Sequence, residues 1–492
     1  MPRSRQAIVI MTDTQRWDMV NCYRNTGLQT PNLDRLAAGG IRFERAYTCQ
    51  PVCGPARSAL FTGTFPHTNG SWTNHQPLGA NIKTLGQRLS GTGLRTGYIG
   101  KWHLDAFDYF GRGECPDGWD PEHWYDMRRY LEELSPEDRV RSRKGKTTLE
   151  NIPDDFTYAH RCSNRAIDYL KRYKDQDFCL VLSYDEPHGP YVCPLRFYEM
   201  YKDFRFPAGP NKDDPLDDKP EHIRVWSQLP FDPNKGLVAP DYFGCNTFVD
   251  SEFGRVLNTI DGCCPDALVI YTSDHGAMLR SHKIENKGPA IFDEITRIPF
   301  IVRWPGNAPA GAVGRNPASH IDLTPTVLDY FGVNAPNVLE GRSMLPVFRD
   351  PSVRLNDAVF FEFGRYEVNQ DGFGGYQPIR CIFDGQFKLG INLLTSDELY
   401  DLQNDPHEMR NLIASPQHAQ IRNRLHDRLL TWMSDTRDPF RGYYWERRPW
   451  RTDARPAAWH YTRMIRSTRV EHGPMPLNYD TGLEADSQDG PM

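Results

Sequence analysis

The sequence predicts an α/β fold: a large, mainly parallel sheet sandwiched by helices, with a smaller C-terminal α+β subdomain containing an antiparallel sheet. Three observations carry this. Short apolar runs alternate with helical segments over roughly the first 350 residues. Those runs are continuous and rich in β-branched residues, as strands buried on both faces are. Beyond residue 350 the runs become short segments joined by tight turns, the habit of antiparallel strands. The expected division is a main domain over 1–350, a subdomain over 351–440 and an extension over 441–492.

The elements follow in order. QAIVIMTD (6–13) reads as a buried strand ending in Asp13. TPNLDRLAAGG (30–40) reads as a helix, with Thr30 as N-cap, Pro31 at the first position and glycines at the stop. IRFERAYT (41–48) reads as one strand and NIKTLGQRLSGTG (81–93) as a second helix. RTGYIGKWHL (95–104) is a strand entering a loop, and 156–174 is an amphipathic helix. DFCLVLSYDEPHGPY (177–191) is a buried strand whose end carries Glu186 and His188. The polar stretch 203–240 reads as an insertion or loop. PDALVIYTSDHGAML (265–279) ends in Asp274-His275-Gly276, RIPFIVRWPG (297–306) is a further strand, and 319–333 is a helix capped near Asp322 or Thr324. Residues 418–435 form a helix that packs on the antiparallel segments.

Composition narrows the function. The chain has 492 residues, 39% hydrophobic and 25% charged, as an ordinary globular protein has. A net charge of −6 argues against a nucleic-acid partner held by a basic surface. No stretch approaches the ~20 apolar residues of a membrane helix, and AIVIM is too short for a signal-peptide core, so a cytoplasmic location is expected. The 11 cysteines have no regular framework and read as buried thiols, Cys53 excepted.

Cys53 stands in CQPVCGPARSALFTG, beside Pro55 and Arg57 and ahead of a helix-competent run. A cation and a helix N-terminus both favour a thiolate. The stretch alone fits a redox thiol, half of a metal site or the precursor of a modified nucleophile. The positions of the other polar groups bear on that choice. Asp13, Lys101 and His103 of GKWHL, His188 and Asp274-His275 all sit at C-terminal ends of strands, the edge where open α/β sheets bind ligands. Asp13, Asp274 and His275 suit a divalent cation. Lys287 and His282 follow on a glycine-containing loop. Gathering Arg57, Lys101 and Lys287 in one pocket is costly unless an anion is bound among them.

These residues resemble the formylglycine-dependent sulfatases of the alkaline phosphatase-like superfamily. CGPAR with the downstream LFTG matches their C-x-P-x-R and L-x-T-G signature. MTDTQ, TPNLDRLAAGGIRFERAYT, GYIGKWHL, DEPHGPY, TSDHG, IFDEITRIPFIVRWPG, SHIDLTPTVLDYFG and DELYDLQNDPHEMRNL follow in the family's order, over about residues 6–413. The resemblance implies a sulfatase acting on a sulfated carbohydrate or small organic sulfate. Cys53 would be oxidised to formylglycine by a formylglycine-generating enzyme. One hydroxyl of the hydrated aldehyde would attack sulfur, and the second would later expel sulfate. Cys53, Asp13, Asp274 and His275 would hold the metal, with calcium expected first and manganese second. Arg57 would steady the formylglycine, and Lys101 and Lys287 would bind sulfate oxygens. His103 would be the base, and His188 with Lys287 would assist the leaving oxygen. Asn74 and His282 would contact substrate.

The chain also departs from the family's pattern. Asp13 is followed by Thr14 where many members have a second aspartate, and Asp274 by His275 where many have asparagine. Relatives that hydrolyse phosphonate monoesters or phosphodiesters share these departures, which makes that activity the alternative. A non-catalytic anion- or sugar-binding protein is a further reading, and the intact signature speaks against it. Specificity is expected in the loops 72–75, 105–124, 203–240 and 366–376. The extension 441–492, dense in Trp, Tyr and Arg between Trp445 and Trp459, is expected to be an arm that forms a homo-oligomer.

Overall fold

The structure is a computed structural model that describes residues 4–105, 109–229 and 236–454. Its strands are β1 (Gln6–Thr12), β2 (Ile41–Phe43), β3 (Ala46–Tyr47), β4 (Arg95–Gly100), β5 (Phe178–Ser183), β6 (Leu268–Ser273), β7 (Arg297–Ile298), β8 (Phe300–Arg303), β9 (Ala312–Gly314), β10 (Ala318–Ser319), β11 (Val359–Arg365), β12 (Tyr376–Phe383), β13 (Phe387–Asn392) and β14 (Glu398–Asp401). Seven of them form the main sheet, in the order β4-β5-β1-β6-β8-β2-β9. β4, β5, β1 and β6 run parallel, and β8 runs antiparallel to both β6 and β2. β11–β14 form a separate antiparallel sheet in sequence order.

The period-two geometry of β1 explains the layering. Ile8 and Ile10 enter one core, while Ala7, Val9 and Met11 enter the other. The first core also takes in the helices Tyr158–Tyr173 and Pro240–Cys263. The second takes in Cys53–Thr62 and Leu323–Phe331. The sheet is thus covered by apolar surface on both faces, which is why its strands read as unbroken apolar runs.

Several elements are shorter or more divided than the sequence suggested. IRFERAYT splits into β2 and β3, which join different sheets. Arg297–Arg303 splits likewise at Pro299, which has no N–H to donate to a ladder. The helix expected over 81–93 is α-helical only at Leu85–Leu89, with a 3-10 turn over Ser90–Thr92. Thr30 makes no side-chain cap; its hydroxyl accepts from Asn21 N at 2.8 Å. The insertion contains a helix, Glu221–Ser227.

The helix Ala419–Asp435 packs on the antiparallel sheet. Trp445, expected at a subunit interface, is instead 1% exposed within its own chain. Its carbonyl lies 2.6 Å from His426 Nε2, and Arg448 donates twice to Asp397 at 2.9 Å. The rest of the expected arm, 455–492, lies outside the described residues.

Candidate functional site

The site forms where β1, β4, β5 and β6 end. Asp13 and Asp274 directly follow β1 and β6, which are paired neighbours, so their carboxylates are brought together. Thr14 adopts φ 62°, a region L-residues rarely occupy. That bend lets Thr14 N donate to Asp274 Oδ1 at 3.1 Å and Thr14 Oγ1 to Asp13 Oδ1 at 2.6 Å. Beside them begins the helix Cys53–Thr62, which presents Cys53 at its electropositive end. Asn74 Oδ1 accepts from Gly54 N at 2.9 Å, taking up one of the amides left unpaired at that terminus.

Asp13, Cys53, Asp274 and His275 each offer a ligand atom, and these atoms lie within 4.8 Å of one another. Cys53 Sγ is 3.3 Å from His275 Nε2 and 3.7 Å from Asp13 Oδ1. His275 Nδ1 lies 2.8 Å from Gly276 O, an atom that only accepts, so Nδ1 carries the proton and the Nε2 lone pair faces the cluster. Two carboxylates and one imidazole are a donor set that fits a divalent cation.

Three cations surround this group. Arg57 donates to Asp274 Oδ2 at 3.1 Å, Asp13 Oδ2 at 3.2 Å, Lys101 O at 2.7 Å and Ser183 Oγ at 2.8 Å. Lys101 Nζ is 2.7 Å from Asp13 Oδ2 and 3.0 Å from Asp185 Oδ1. Lys287 Nζ donates to Cys53 Sγ at 2.7 Å and lies 2.9 Å from His275 Nε2. Lys101 can turn into the site because Gly100, at φ 118°, precedes it. A Cβ there would meet Ser183 O at 1.9 Å, so no other residue fits.

The charges shift one another. Burial and the charge of Asp13 push the Cys53 thiol up, but Lys287, Lys101 and His275 outweigh them and hold it well below the ordinary thiol value. Burial also opposes ionisation of Asp13, yet Lys101, His188, Lys287 and Arg57 hold its carboxyl well below the usual range. Burial, then the neighbouring Asp13, pushes Asp274 up to about 6. Burial lowers His103, which keeps its imidazole neutral near neutral pH. His103 sits at φ 58°, and its Nδ1 is buried with no hydrogen-bond partner among the described residues.

His282 is placed elsewhere. Its Nδ1 is 2.6 Å from Asp214 Oδ2, its ring stacks on Phe292 at 3.7 Å, and it is fully buried. It ties the loop bearing Lys287 to the 203–229 segment, which corrects its expected contact with substrate.

Two residues around the site went unread in the sequence. Asp185, two residues after Ser183 and on the same side as it, pairs with Lys101. Period-two counting from the end of β5 would have selected Asp185 over Glu186, which instead accepts from Ala159 N at 3.0 Å on the far side. Tyr109 bridges Asp185 Oδ1 at 2.5 Å and His188 Nδ1 at 3.0 Å. It comes from an irregular loop whose sequence carries no periodic signal.

The chain is similar to known sulfatases along most of its length. The family model "Sulfatase" matches residues 5–333, and "N-sulphoglucosamine sulphohydrolase, C-terminal" matches 287–435. The chain is 46% identical to the uncharacterized sulfatase YidJ of Escherichia coli K12, covering 97% of this chain and 96% of that one. It is 26% identical to an N-acetylglucosamine-6-O-sulfatase of Bacteroides thetaiotaomicron, over 85% of this chain and 84% of that one. The crystal structure of a phosphonate monoester hydrolase of Agrobacterium radiobacter superposes with a TM-score of 0.73 at 23% identity, covering 88% and 96% of the two chains, and so shares the fold.

Proposed function

Because the chain belongs to the sulfatase family of sulfuric ester hydrolases, we propose that it cleaves the sulfate ester of a carbohydrate or small organic alcohol, using a nucleophile made from Cys53. The observation that carries this reading is the convergence of Arg57, Lys101 and Lys287 on the Cys53 helix terminus beside a four-donor cluster. Cations so placed need an anion, and one whose charge grows in the transition state gains most from them.

Asp13, Asp274, His275 and the residue at position 53 would hold a divalent ion, calcium by the carboxylates or manganese by the imidazole. Bound there, the ion would act as a Lewis acid toward oxygen. Conversion of Cys53 to formylglycine would supply an aldehyde hydrate with two hydroxyls, one to attack sulfur and one to expel sulfate.

The chain's other residues then have separable tasks. Lys287 and Lys101 donate to sulfate oxygens. Arg57 fixes Asp13 and Asp274 and lends charge to the nucleophile. His103, neutral and hydrogen-bonded to the position-53 side chain, takes the proton of the expelling hydroxyl. His188 with Lys287 serves the leaving oxygen. Asn74 fixes the helix terminus and would contact the bound anion.

A second reading, phosphonate monoester or phosphodiester hydrolysis, is favoured by Thr14 and His275. They replace a carboxylate and a carboxamide of the usual pattern and so make the site less negative. One preparation separates the two: kcat/KM should be higher on 4-nitrophenyl sulfate than on a phenyl phosphonate ester. The Cys53 peptide should be lighter by about 18 Da, as the thiol-to-aldehyde exchange requires. The reverse preference would move the assignment to the second reading. Full turnover with an unaltered thiol would remove the formylglycine.

A further inference from the structure

We propose that Tyr109 and Asp185 are positioning residues that orient His188 and set its proton for delivery to the leaving oxygen. The inference rests on the sulfuryl-transfer reading above.

The proton positions follow from the two ends of the chain of contacts. Gly189 O only accepts, and it lies 2.8 Å from His188 Nδ1, so Nδ1 bears a hydrogen. Asp185 Oδ1 is a carboxylate oxygen 2.5 Å from the Tyr109 hydroxyl, so the hydroxyl donates to it. The Tyr109 oxygen is left with lone pairs 3.0 Å from Nδ1, where it accepts a second share of the Nδ1–H. Burial and the charge of Asp185 push the Tyr109 phenol well above its ordinary value, so it keeps its proton. The second ring nitrogen, Nε2, is the one left to exchange a proton with substrate.

The rest of the surroundings fix Tyr109 itself. Lys101 Nζ sits 4.0 Å above its ring and 3.0 Å from Asp185 Oδ1. The His103 ring meets it edge-on at 5.5 Å, and Arg143 lies over it at 5.4 Å. The phenol therefore touches Lys101, His103 and His188, and its hydroxyl joins the imidazole to the carboxylate.

The step balances as follows. The position-53 hydroxyl first gives its proton to solvent; its oxygen then bonds to sulfur while the sulfur–oxygen bond to the alcohol breaks. The electron pair of the broken bond stays on the alcohol oxygen, which takes the Nε2 proton of the imidazolium. His188 ends as neutral imidazole and keeps Nδ1–H toward Gly189 and Tyr109. Tyr109, held by the Asp185 carboxylate, and Gly189 O keep that tautomer and the ring orientation throughout.

A proton matters most to a basic leaving group. Tyr109→Phe removes the hydroxyl and keeps the ring contacts with Lys101 and His103. Wild type and variant would be compared on aryl sulfates running from 4-nitrophenyl to phenyl, with melting temperature as a check on folding. We expect the variant to stay within about 3-fold of wild type on 4-nitrophenyl sulfate. On phenyl sulfate it should fall by about 10–100-fold, steepening the dependence on leaving-group pKa. Asp185→Asn should steepen it too, on top of a uniform loss from weakened hold on Lys101. An equal loss across the series in Tyr109→Phe, or no loss, would overturn the proposal. If wild type turns over none of the sulfates, the sulfatase reading fails on its own account. Phenyl phosphonates with the same leaving phenols then test the chain of contacts independently.

Discussion

The charges around Arg380 in the C-terminal region and those around Cys53 are buried to the same degree and finished differently. Arg380 is 2% exposed. It pairs with both carboxylate oxygens of Asp438, lies 3.4 Å from Glu362 and donates to Ile379 O at 2.9 Å. Glu362 also meets His67 Nδ1 at 2.5 Å, and His67 Nε2 lies 2.9 Å from Thr436 Oγ1. His67, Glu362 and Asp438 have the spacing of a metal site, but Arg380 already supplies the positive charge they need. Around Cys53 the account stays open. Asp13, Asp185 and Asp274 face Arg57, Lys101 and Lys287, so a divalent ion would leave a positive excess for an anion to meet. A closed network serves stability, and an open one serves binding.

That contrast can be broken. Cys53→Ala should lower kcat by about 10⁴-fold or more, the scale seen when a nucleophile is removed. Its melting temperature should stay within about 3 °C of the parent. Appreciable turnover of an aryl ester by this variant would mean that the cluster around Cys53 is not the reacting centre.

Asp438→Ala should do the opposite. Leaving Arg380 buried with Glu362 as its only remaining carboxylate among the described residues should cost about 3 kcal/mol or more in urea unfolding. Activity per folded molecule should be unchanged within about 2-fold, because among the described residues the Asp438 carboxylate bonds to Arg380 and Phe440 N and to no residue of the Cys53 cluster. A loss of kcat parallel to the loss of stability would erase the distinction between the two networks.

The smallest effect is on pH dependence. Burial opposes protonation of His67, but Glu362, by charge and hydrogen bond, and Asp438 outweigh it and raise the imidazole above its ordinary value. A raised basic group stabilises the fold fully below its unfolded value, about 6.5, and loses that contribution as pH rises through the folded value. Unfolding free energy should therefore fall above pH 6.5 by more in the parent than in His67→Gln. Identical slopes would show that the ring is already neutral.

The sequence carried most of the main sheet because its strands are covered on both faces, and continuous apolar runs such as AIVIM mark that condition. It carried Asp13 and Asp274 because they end such runs. It misled where one apolar stretch serves two sheets, as at β2 and β3, since periodicity does not say when a strand changes partners. His282 was misjudged because its role depends on Asp214, 68 residues away, which only the fold brings within 2.6 Å. Tyr109 was invisible for a similar reason. A loop residue has no pattern to betray it, and its importance comes from Asp185 and His188 across the fold.

The placement of β1 sets a schedule. The first strand of the chain lies in the middle of the sheet, with Gln6 opposite Phe178 on one side and Ala7 opposite Leu268 on the other. It cannot be flanked by both neighbours until β6 has been made, and Ser273 follows Cys53 by about 220 residues. At ~5–20 residues per second that leaves roughly 10–40 s of synthesis with Cys53 already translated and the sheet unclosed. In the finished fold Cys53 is 1% exposed. An enzyme that oxidises this thiol would have to reach it within that interval, so the speed of elongation between Cys53 and β6 would set how much of the chain matures.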